Sequence, residues 1–504
     1  MEKSALSTAW SGGSPHSPDR VAIVDGDRVL SHGELHELVI RAAGALRSGG
    51  IEPGARVALV LESSWQYVVC YLAVMRAGAI AVPLNPAARE RDLAGWVEHA
   101  DATFAITDIS YAAREALSAA LPRSCRLLVC GGAGDPLAKP AAPVADVELP
   151  GISPDSPALI LFTSGTSGSP KGVLLTHGNL QANVRGIIES LALTADDSIM
   201  AVLPFSYAYG NSVLLSHLAC GARLVIQRGF GFPKAVVEAM VRERVTGFAG
   251  VPSTYALLLS RVRLENFDLS HLRYVTQAGG PMPVALTQRL MVALPGKQIF
   301  VMYGQTEATS RLTCLPAHRL AEKPGSVGLP LREVNLQIRD AAGAPCASGV
   351  AGDIWASGPN IMAGYWRNPG ATAEALRDGW LRTGDVGRLD DEGFLHIVGR
   401  RSDIIKVGSH RVHPQDVEQV LAELADVSEC AVVGVDDEIL GEVIKAFVVR
   451  SQDSPLQELQ VKRHCLERLA AYKVPKYVEF VAQLPRTSSG KVQRSVLQNP
   501  QETS

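Results

Sequence analysis

Features that the 504-residue sequence lacks exclude several classes of protein. It contains no uninterrupted apolar run of about 18 residues, which a membrane-spanning helix requires. Residues 1–20 also lack the apolar segment of a secretory leader. We therefore expect no membrane span and a cytoplasmic location.

An excess of charge of either sign is also missing. The sequence has 48 Lys and Arg against 51 Asp and Glu, a net charge of −3, so nothing in the charge balance favours nucleic acid or an anionic membrane as a partner. The eight cysteines are scattered, and the close pair Cys125 and Cys130 has neither a second pair nor histidines at zinc-ligand spacing. Free thiols in a reducing compartment are expected.

What is present is the composition of a globular protein, 47% hydrophobic and 20% charged, long enough for about three domains or subdomains. Residues 57–61 read as a strand, 65–76 as an amphipathic helix and 79–82 as a second strand that ends at Pro83. The same alternation recurs in residues 100–130, 198–227 and 245–305. It predicts βαβ units, and hence an α/β fold with a largely parallel sheet.

Composition also marks the boundaries between segments. Residues 131–157 are rich in Pro, Gly and Ala and predict a surface connection. Beyond Arg388 the pattern changes to a small α+β unit, with helices near residues 414–424 and 456–469. We expect a flexible tail (1–18), a large N-terminal domain (19–400) and a mobile C-terminal domain (401–504).

The segment 163–172 has the composition of a phosphate-binding loop, because it carries five hydroxyl residues, three glycines and one lysine after an apolar strand. The Walker motif is excluded, since Lys171 is followed by Gly172 instead of Ser or Thr. A ligand-free Gly/Ser loop remains an alternative for this segment alone. The residues that fit polyphosphate are Thr163, Ser164, Gly165, Thr166, Ser167, Gly168, Ser169, Lys171 and Gly172.

Two further motifs follow strand-like segments. QAGGPMP, residues 277–283, is by itself more typical of a turn than of a site. VMYGQTEATS, residues 301–310, offers the flat ring of Tyr303, a turn at Gly304, the hydroxyl of Thr306 and the carboxylate of Glu307. A carboxylate beside a phosphate site suits Mg²⁺, although a solvated loop acid is the more common role of such a residue.

The last two motifs lie near the C-terminus. Asp385, between Gly384 and Gly387, can accept hydrogen bonds from both ribose hydroxyls, or it can cap a tight turn. Arg400 offers a further donor. Lys491 lies in LPRTSSGKVQR, residues 484–494, where a plain surface charge is the usual reading.

The order and spacing of six motifs resemble the adenylate-forming superfamily, which comprises acyl- and aryl-CoA ligases, adenylation enzymes of nonribosomal peptide synthesis and firefly luciferase. The resemblance extends from about Asp19 to Arg494. The motifs are TSGTSGSPKG, YGQTE, GYWRNP (364–369), RTGDVG, GRRSDIIKVGSHRVHPQDVE (399–418) and PRTSSGKVQR.

The resemblance implies a large N-terminal domain of βαβ subdomains plus a small barrel, with a mobile small C-terminal domain. It also implies that ATP and a carboxylic acid give an acyl-adenylate and pyrophosphate, after which a thiol takes the acyl group. Coenzyme A is the expected thiol, and a free-standing carrier protein is the alternative. A luciferase-like oxygenase and a non-catalytic nucleotide-binding regulator are further alternatives, although intact Lys171, Glu307 and Lys491 speak against a regulator.

The family roles transfer to matching positions of this sequence. Residues 163–171 would hold the β- and γ-phosphates, Glu307 and Thr166 would hold Mg²⁺, and Lys491 would act at the α-phosphate. The nucleotide would be bound through Gly279, Gly280 and Tyr303 at adenine, Gly304 in the turn, Thr306 at the α-phosphate, and Asp385 and Arg400 at ribose.

Three positions depart from the family pattern. The hinge residue falls on Ser402, beside Asp403, and the glycine of the thiol tunnel falls on Gly408 or, by strict spacing, on Ser409. Tyr207 stands where many CoA ligases have a gating histidine. Residues 203–218 contain no aspartate to pair with a substrate ammonium, which disfavours an α-amino acid. The aromatic residues Phe205, Tyr207, Tyr209 and those of 248–258 could line an acyl slot or belong to the core.

Overall fold

The computed structural model describes residues 17–131, 135, 137, 149–163, 171–408, 410–437, 441–451, 454–487 and 492–498. Most of the expected tail and of the connection 131–157 lies outside these residues. Ser164, Gly165, Thr166, Ser167, Gly168, Ser409 and Lys491 lie outside them too.

The first part of the chain alternates strands and helices. Its elements are β1 (Val21–Asp25), β2 (Arg28–Ser31), α1 (His32–Ser48), β3 (Arg56–Val60), α2 (Trp65–Arg76), β4 (Ile80–Leu84), α3 (Glu90–His99), β5 (Phe104–Asp108), α4 (Arg114–Ala120), β6 (Arg126–Cys130), β7 (Pro157–Thr163), β8 (Lys171–Thr176) and α5 (His177–Leu191). The middle part continues with β9 (Ser198–Ala201), α6 (Ala208–Ala219), β10 (Arg223–Ile226), α7 (Pro233–Arg242), β11 (Gly247–Gly250), α8 (Pro252–Arg261), β12 (Tyr274–Gln277), α9 (Val284–Ala293) and β13 (Gln298–Tyr303).

The remainder is mostly strand. It comprises β14 (Thr313–Cys314), β15 (Leu329–Pro330), β16 (Asn335–Arg339), β17 (Gly352–Ser357), β18 (Gly364–Tyr365), α10 (Pro369–Ala375), β19 (Leu376–Arg377), β20 (Trp380–Leu389), β21 (Leu395–Arg400), β22 (Ile405–Val407), β23 (His410–Val412), α11 (Pro414–Leu421), β24 (Val427–Asp437), β25 (Gly441–Arg450), α12 (Glu458–Arg468), β26 (Tyr477–Phe480) and α13 (Arg494–Gln498).

Four sheets organise these elements. A nine-stranded sheet has the order β15-β14-β13-β12-β11-β9-β10-β1-β2, and a seven-stranded sheet has the order β18-β8-β7-β4-β3-β5-β6. In both, the central pairings are parallel and the antiparallel pairs lie towards the ends, as the βαβ pattern predicts. A five-stranded antiparallel sheet (β16-β17-β20-β19, with β21 on β20) follows.

Local sequence explains how the first helices form. Helix α1 begins with a capping box in which Ser31 accepts from the backbone of Glu34 and Glu34 accepts from the backbone of Ser31. Helix α2 is capped by Ser64 and is buried from Tyr67 to Met75, so it belongs to the core instead of presenting a polar face. The large core lies between the two large sheets and includes side chains of α1, α2, α5 and α6.

Strand β4 corrects one expectation, because Pro83 lies inside the strand and pairs with Leu59. The ladder from β4 to β7 is confined to Ala81 and Leu159, which leaves Pro83 outside it. The strand therefore continues past the end that the sequence predicts at Val82. Pro83 is tolerated there because its side of the strand makes no ladder hydrogen bonds to β7 at this position.

The C-terminal part has its own sheet, β23-β22-β25-β24 with β26 on β25, and its own core. That core begins at Ile405 and includes Val417 and Leu421 of α11 and Val461 of α12. A large α/β region followed by a small α+β unit is thus confirmed. Among the described helices, none is both long and apolar enough to cross a membrane.

Candidate active site

Gly279, Gly280 and Tyr303 lie where parallel strands end, which is where α/β sheets bind ligands. Strand β12 ends at Gln277, just before Gly279 and Gly280, and β13 ends at Tyr303. Gly279 has a φ of +85°, which favours glycine, and the side-chain amide of Gln277 donates to the carbonyl of Gly280 at 2.8 Å. Both glycines contact the start of α8, since an added Cβ would meet Val251 at one and Pro252 at the other.

Asp385 is held by two partners. The Tyr303 hydroxyl donates to Oδ2 at 2.7 Å, and Nε of Arg400 donates to Oδ1 at 3.0 Å. Asp385 lies inside β20, opposite Arg400 of β21, and is 5% exposed. The turn-capping alternative is therefore wrong. Burial and the Asp385 charge raise the pKa of Tyr303 well above its usual value, so this phenol remains a donor. The Asp385 charge in turn raises the pKa of Arg400.

A second group of contacts joins Glu307 to the phosphate loop. The hydroxyl of Tyr365 donates to Oε1 of Glu307 at 2.8 Å, and Nζ of Lys171 lies 5.2 Å from the centre of the Tyr365 ring. Burial, followed by the Glu307 charge, raises the pKa of Tyr365. No role was assigned to Tyr365 from the sequence, although the motif GYWRNP contained it.

The loop after β13 is fixed by close contacts. A Cβ at Gly304 would lie 2.0 Å from the carbonyl oxygen of Ser310, so only glycine fits there. Thr306 and Glu307 form a 3₁₀ turn, and the Glu307 carbonyl accepts from the backbone of Met362 at 2.9 Å. Thr309 donates its hydroxyl to the carbonyl of Asn360 at 2.7 Å. The loop therefore has a defined position relative to the segment that carries Tyr365.

The ends of the phosphate loop face each other. Thr163 at the end of β7 is paired with Lys171 at the start of β8 in an antiparallel ladder. Strands β7 and β8 are therefore neighbours in the seven-stranded sheet. Of the residues predicted to fit polyphosphate, Thr163, Lys171 and Gly172 are described.

The expected hinge lies between two sets of ion pairs. Arg401 pairs with Asp353 of β17 at 2.7 Å, and Asp353 also pairs with Arg382 at 2.7 Å. Two residues later, Asp403 lies 3.8 Å from Arg494 of the C-terminal unit. Arg401, before Ser402, thus contacts the large region, and Asp403, after it, contacts the small C-terminal unit. Gly408, with a φ of +59°, follows β22 in the small unit and takes no part in the two contact groups above.

The donor set fits a magnesium ion that is bound mainly by substrate phosphates. In the described part of the chain no group of three or more His, Cys, Asp or Glu side chains could hold a metal by itself. Mg²⁺ bound with a nucleotide needs only one or two carboxylates, because phosphates and water supply the other ligands. Glu307 is partly exposed and offers one such carboxylate.

A small cavity lies behind the loop, lined by residues that include Tyr209, Ser212, Met302 and Arg311. Arg311 was not singled out in the sequence. The sequence feature that could have indicated it is a charged residue, four positions after Glu307, among small and apolar neighbours. The other aromatic residues that the sequence offered for an acyl slot do not line this cavity. Phe205 packs against Tyr67, Phe248 packs against Tyr255, and the Tyr207 hydroxyl accepts a hydrogen bond from the Asn85 side chain.

Comparisons with known proteins show the family to which the chain belongs. Residues 14–366 match the model of the AMP-binding enzyme family, and residues 416–491 match the AMP-binding enzyme C-terminal domain. Feruloyl-CoA synthase from Amycolatopsis sp is 37% identical over 478 residues, 94% of this chain and 95% of that protein.

Two solved structures have the same fold over nearly the whole chain. O-succinylbenzoate coenzyme A synthetase (MenE) from Bacillus subtilis, in complex with ATP and a magnesium ion, matches with a TM-score of 0.85 and 29% identity, covering 97% of this chain and 98% of that chain. The anthranilate CoA ligase AuaEII, in complex with anthranoyl-AMP, matches with a TM-score of 0.90 and 26% identity, covering 98% and 96%.

The fold, the family match and the similarity to CoA ligases identify an AMP-forming acid–thiol ligase, which activates a carboxylic acid with ATP and transfers the acyl group to a thiol. The chain belongs to the AMP-binding enzyme family.

Proposed function

We propose that the protein is an acyl-CoA synthetase whose Mg·ATP site consists of the Asp385 and Glu307 contact groups and the loop 164–170. The observation that carries this proposal is that both groups meet on one short segment. Tyr303 binds Asp385, and Glu307, four residues on, binds Tyr365. One end of this loop therefore positions Asp385, the proposed acceptor for ribose. The other end carries Glu307, the proposed magnesium ligand.

Asp385 is suited to bind the ribose. Each of its oxygens accepts one hydrogen bond from Tyr303 or Arg400 and retains capacity for a second, which the two ribose hydroxyls would supply. Because both partners fix the carboxylate, little ordering is needed when the nucleotide binds. Adenine would lie along Gly279, Gly280 and the Tyr303 ring, where side chains are small or flat.

The phosphates would lie between Lys171 and Glu307. Thr163 and Lys171 hold the ends of the loop whose Ser164, Gly165, Thr166, Ser167 and Gly168 are proposed to bind the β- and γ-phosphates. Thr166 and Glu307 are proposed to hold Mg²⁺, which neutralises phosphate charge when bound. Lys171 would remain close to the leaving pyrophosphate, and Gly304 leaves room for Thr306 to reach the α-phosphate.

The first step joins the acid to the nucleotide. A carboxylate oxygen attacks the α-phosphorus, the bond to the β-phosphate oxygen breaks, and pyrophosphate leaves. Lys491 is proposed to bring positive charge to the attacking carboxylate and the α-phosphate, where preorganised charge carries about 10²- to 10³-fold in rate. The second step transfers the acyl carbon to a thiol sulfur, with loss of AMP and release of the thiol proton.

The second step is proposed to follow a rotation of residues 401–504 against residues 19–400 about Ser402 and Asp403, with Gly408 beside the thiol path. The change of ion-pair partner between Arg401 and Asp403 supports a turning point there. We also propose a cytoplasmic location, which is supported by the free thiols of all eight cysteines.

The proposal is tested by ATP–pyrophosphate exchange over short, long and aromatic acids, followed by thioester formation with CoA alone. Acid-dependent exchange and an acyl-CoA product are expected. Exchange without acyl-CoA, rescued by an added phosphopantetheinyl carrier protein, would favour the carrier-loading alternative. Absence of exchange with every acid would contradict the assignment of the site.

A further inference from the structure

Thr309, two residues after Glu307, has a backbone conformation that threonine rarely adopts. Its φ is +64° and its ψ is −50°, and the N–H of Ser310 donates to the carbonyl of Ala308 at 2.7 Å. These angles and this hydrogen bond define a γ-turn with positive φ, which is rare and strained in proteins. Glycine adopts a positive φ freely, so the turn by itself does not require a threonine.

The side chain of Thr309 is bonded to a buried asparagine. Its hydroxyl donates to the backbone carbonyl of Asn360 at 2.7 Å, and Asn360 is 1% exposed. The side-chain amide of Asn360 donates in turn to the carbonyl of Ala308 at 3.3 Å and to that of Arg311 at 3.0 Å. Asn360 therefore contacts the chain before, at and after the turn. Strain of this kind costs at least as much as one hydrogen bond contributes, and it persists only where surrounding contacts determine the backbone.

The segment that begins at Asn360 also contacts Glu307 itself. The N–H of Met362 donates to the Glu307 carbonyl at 2.9 Å, and the Tyr365 hydroxyl donates to the Glu307 carboxylate at 2.8 Å. Thr309 and Glu307 are thus tied to the same segment, and the backbone N–H of Thr309 closes the 3₁₀ turn that contains the acid. The turn at Thr309 therefore helps to fix the position of the Glu307 carboxylate.

We propose that Thr309 is a positioning residue for adenylation. Its strained turn and its bond to Asn360 hold the Glu307 carboxylate at the place where the magnesium ion of Mg·ATP binds. This role rests on the magnesium role of Glu307 proposed above, because Thr309 acts on the metal only through that acid. Since the loop is fixed before the nucleotide arrives, binding loses little freedom of the chain. A relaxed turn would let the carboxylate move and would weaken binding of the metal–nucleotide complex.

Three substitutions separate the hydroxyl of Thr309 from the backbone strain. Thr309→Val keeps the branched shape and removes the hydroxyl, Thr309→Gly removes the side chain and the strain together, and Thr309→Ser keeps the hydroxyl. In ATP–pyrophosphate exchange, we expect Thr309→Val and Thr309→Gly to raise the KM for Mg·ATP by about five- to tenfold, the effect of one lost hydrogen bond. Thr309→Ser should remain within about twofold of the wild type, because its hydroxyl still reaches Asn360. The kcat at saturating Mg·ATP should change little, as expected when binding alone is weakened.

The second step of the reaction reports whether the fold is intact. Thioester formation from supplied acyl-AMP requires no Mg·ATP, so all three variants should retain it within about twofold. Thr107→Val serves as the matched control, because Thr107 is also a buried threonine whose hydroxyl donates to a backbone carbonyl, that of Val60 at 2.9 Å. This control should leave the KM for Mg·ATP unchanged. A general loss of structure would instead slow both steps.

A double-mutant cycle shows whether Thr309 acts through Glu307. In a Glu307→Gln background, Thr309→Val should raise the KM for Mg·ATP by less than about twofold, because the carboxylate that it positions is already gone. Additive effects of the two substitutions, an unchanged KM in Thr309→Val, or equal losses in both steps would overturn the role of Thr309.

The outcomes also separate this role from the one on which it rests. A higher Mg²⁺ requirement in Glu307→Gln with no effect of Thr309→Val would overturn the role of Thr309 and leave the metal site in place. An unchanged Mg²⁺ requirement in Glu307→Gln would contradict the metal role of Glu307 and the positioning role of Thr309 together.

Discussion

The hydroxyl of Tyr365 donates to Oε1 of Glu307 at 2.8 Å, and this bond joins two motifs that are far apart in the sequence. Tyr365 belongs to β18, which pairs with β8 directly after the phosphate loop. The position of the proposed magnesium ligand is therefore coupled to the strand that begins with Lys171. Among the hydrogen bonds that join these segments, the one from Tyr365 acts on the Glu307 carboxylate itself.

Replacing Tyr365 with Phe should weaken this coupling without removing the ring beside Lys171. Loss of one hydrogen bond, about 1 kcal/mol, should raise the KM for Mg·ATP by about fivefold. Steady-state kinetics at saturating acid measures the change. Tyr477→Phe, at an exposed tyrosine of β26, is the matched control. An unaltered KM would show that Tyr365 does not position Glu307.

Replacing Glu307 with Gln should raise the Mg²⁺ concentration required for half-maximal adenylation. The amide keeps the shape and removes the charge that binds a hard cation, and a loss of about tenfold in apparent metal affinity is expected. Titration of activity with Mg²⁺ at fixed ATP measures it. The control Glu374→Gln changes an exposed acid. An identical magnesium curve in Glu307→Gln would remove this residue from the metal site.

Replacing Lys491 with Ala should abolish most adenylate formation and spare the second step. A fall of about 10²- to 10³-fold in pyrophosphate exchange is expected, because the charge acts only while the carboxylate attacks phosphorus. Thioester formation from supplied acyl-AMP should persist. Lys462→Ala, which removes a lysine paired with Glu458 on α12, controls for loss of charge in the same unit. Exchange at the wild-type rate would contradict the assignment.

His217 should make the large region less stable in mild acid. Burial lowers its pKa from 6.5 to about 4, so between these values the unfolded chain binds a proton that the folded chain excludes. Stability should therefore fall as pH decreases from 6.5 towards 4, by about 2 kcal/mol at pH 5 from this residue. Urea unfolding of wild type and His217→Gln at pH 5 and pH 7.5 measures the difference.

The variant His217→Gln should lose less stability between pH 7.5 and pH 5 than the wild type. His271→Gln, at an exposed histidine, should follow the wild type. Equal losses in all three proteins would show that His217 is protonated in the folded state.

The sequence predicted those parts of the site that depend on local pattern. Helix α2 begins at Trp65 and ends at Arg76, as the helical periodicity indicated, and each of β12 and β13 ends at the motif that was expected to follow it. The contact of Tyr365 with Glu307 was missed for a different reason. The fold brings Glu307 to Tyr365 from another segment of the chain, and no local pattern reports such a contact.

Asp385 is a second case in which the local sequence did not report the contacts that the fold creates. From its neighbours alone it was equally suited to a turn or to ribose, because Gly384 and Gly387 permit both. The decision came from Tyr303, on another sheet, and from the opposing strand that carries Arg400. Position in the fold, and not residue type, excluded the turn, while ribose binding by Asp385 stays a prediction.

The pairing of β18 with β8 also has a consequence for synthesis of the chain. Strand β8 cannot acquire this neighbour until residues 364 and 365 have been translated, long after residue 176. At ordinary translation speeds that interval is roughly 10 to 40 s. Throughout it, one edge of the hairpin exposes unpaired backbone groups to any other nascent strand. This edge of β8 is therefore exposed to aggregation during synthesis until β18 covers it.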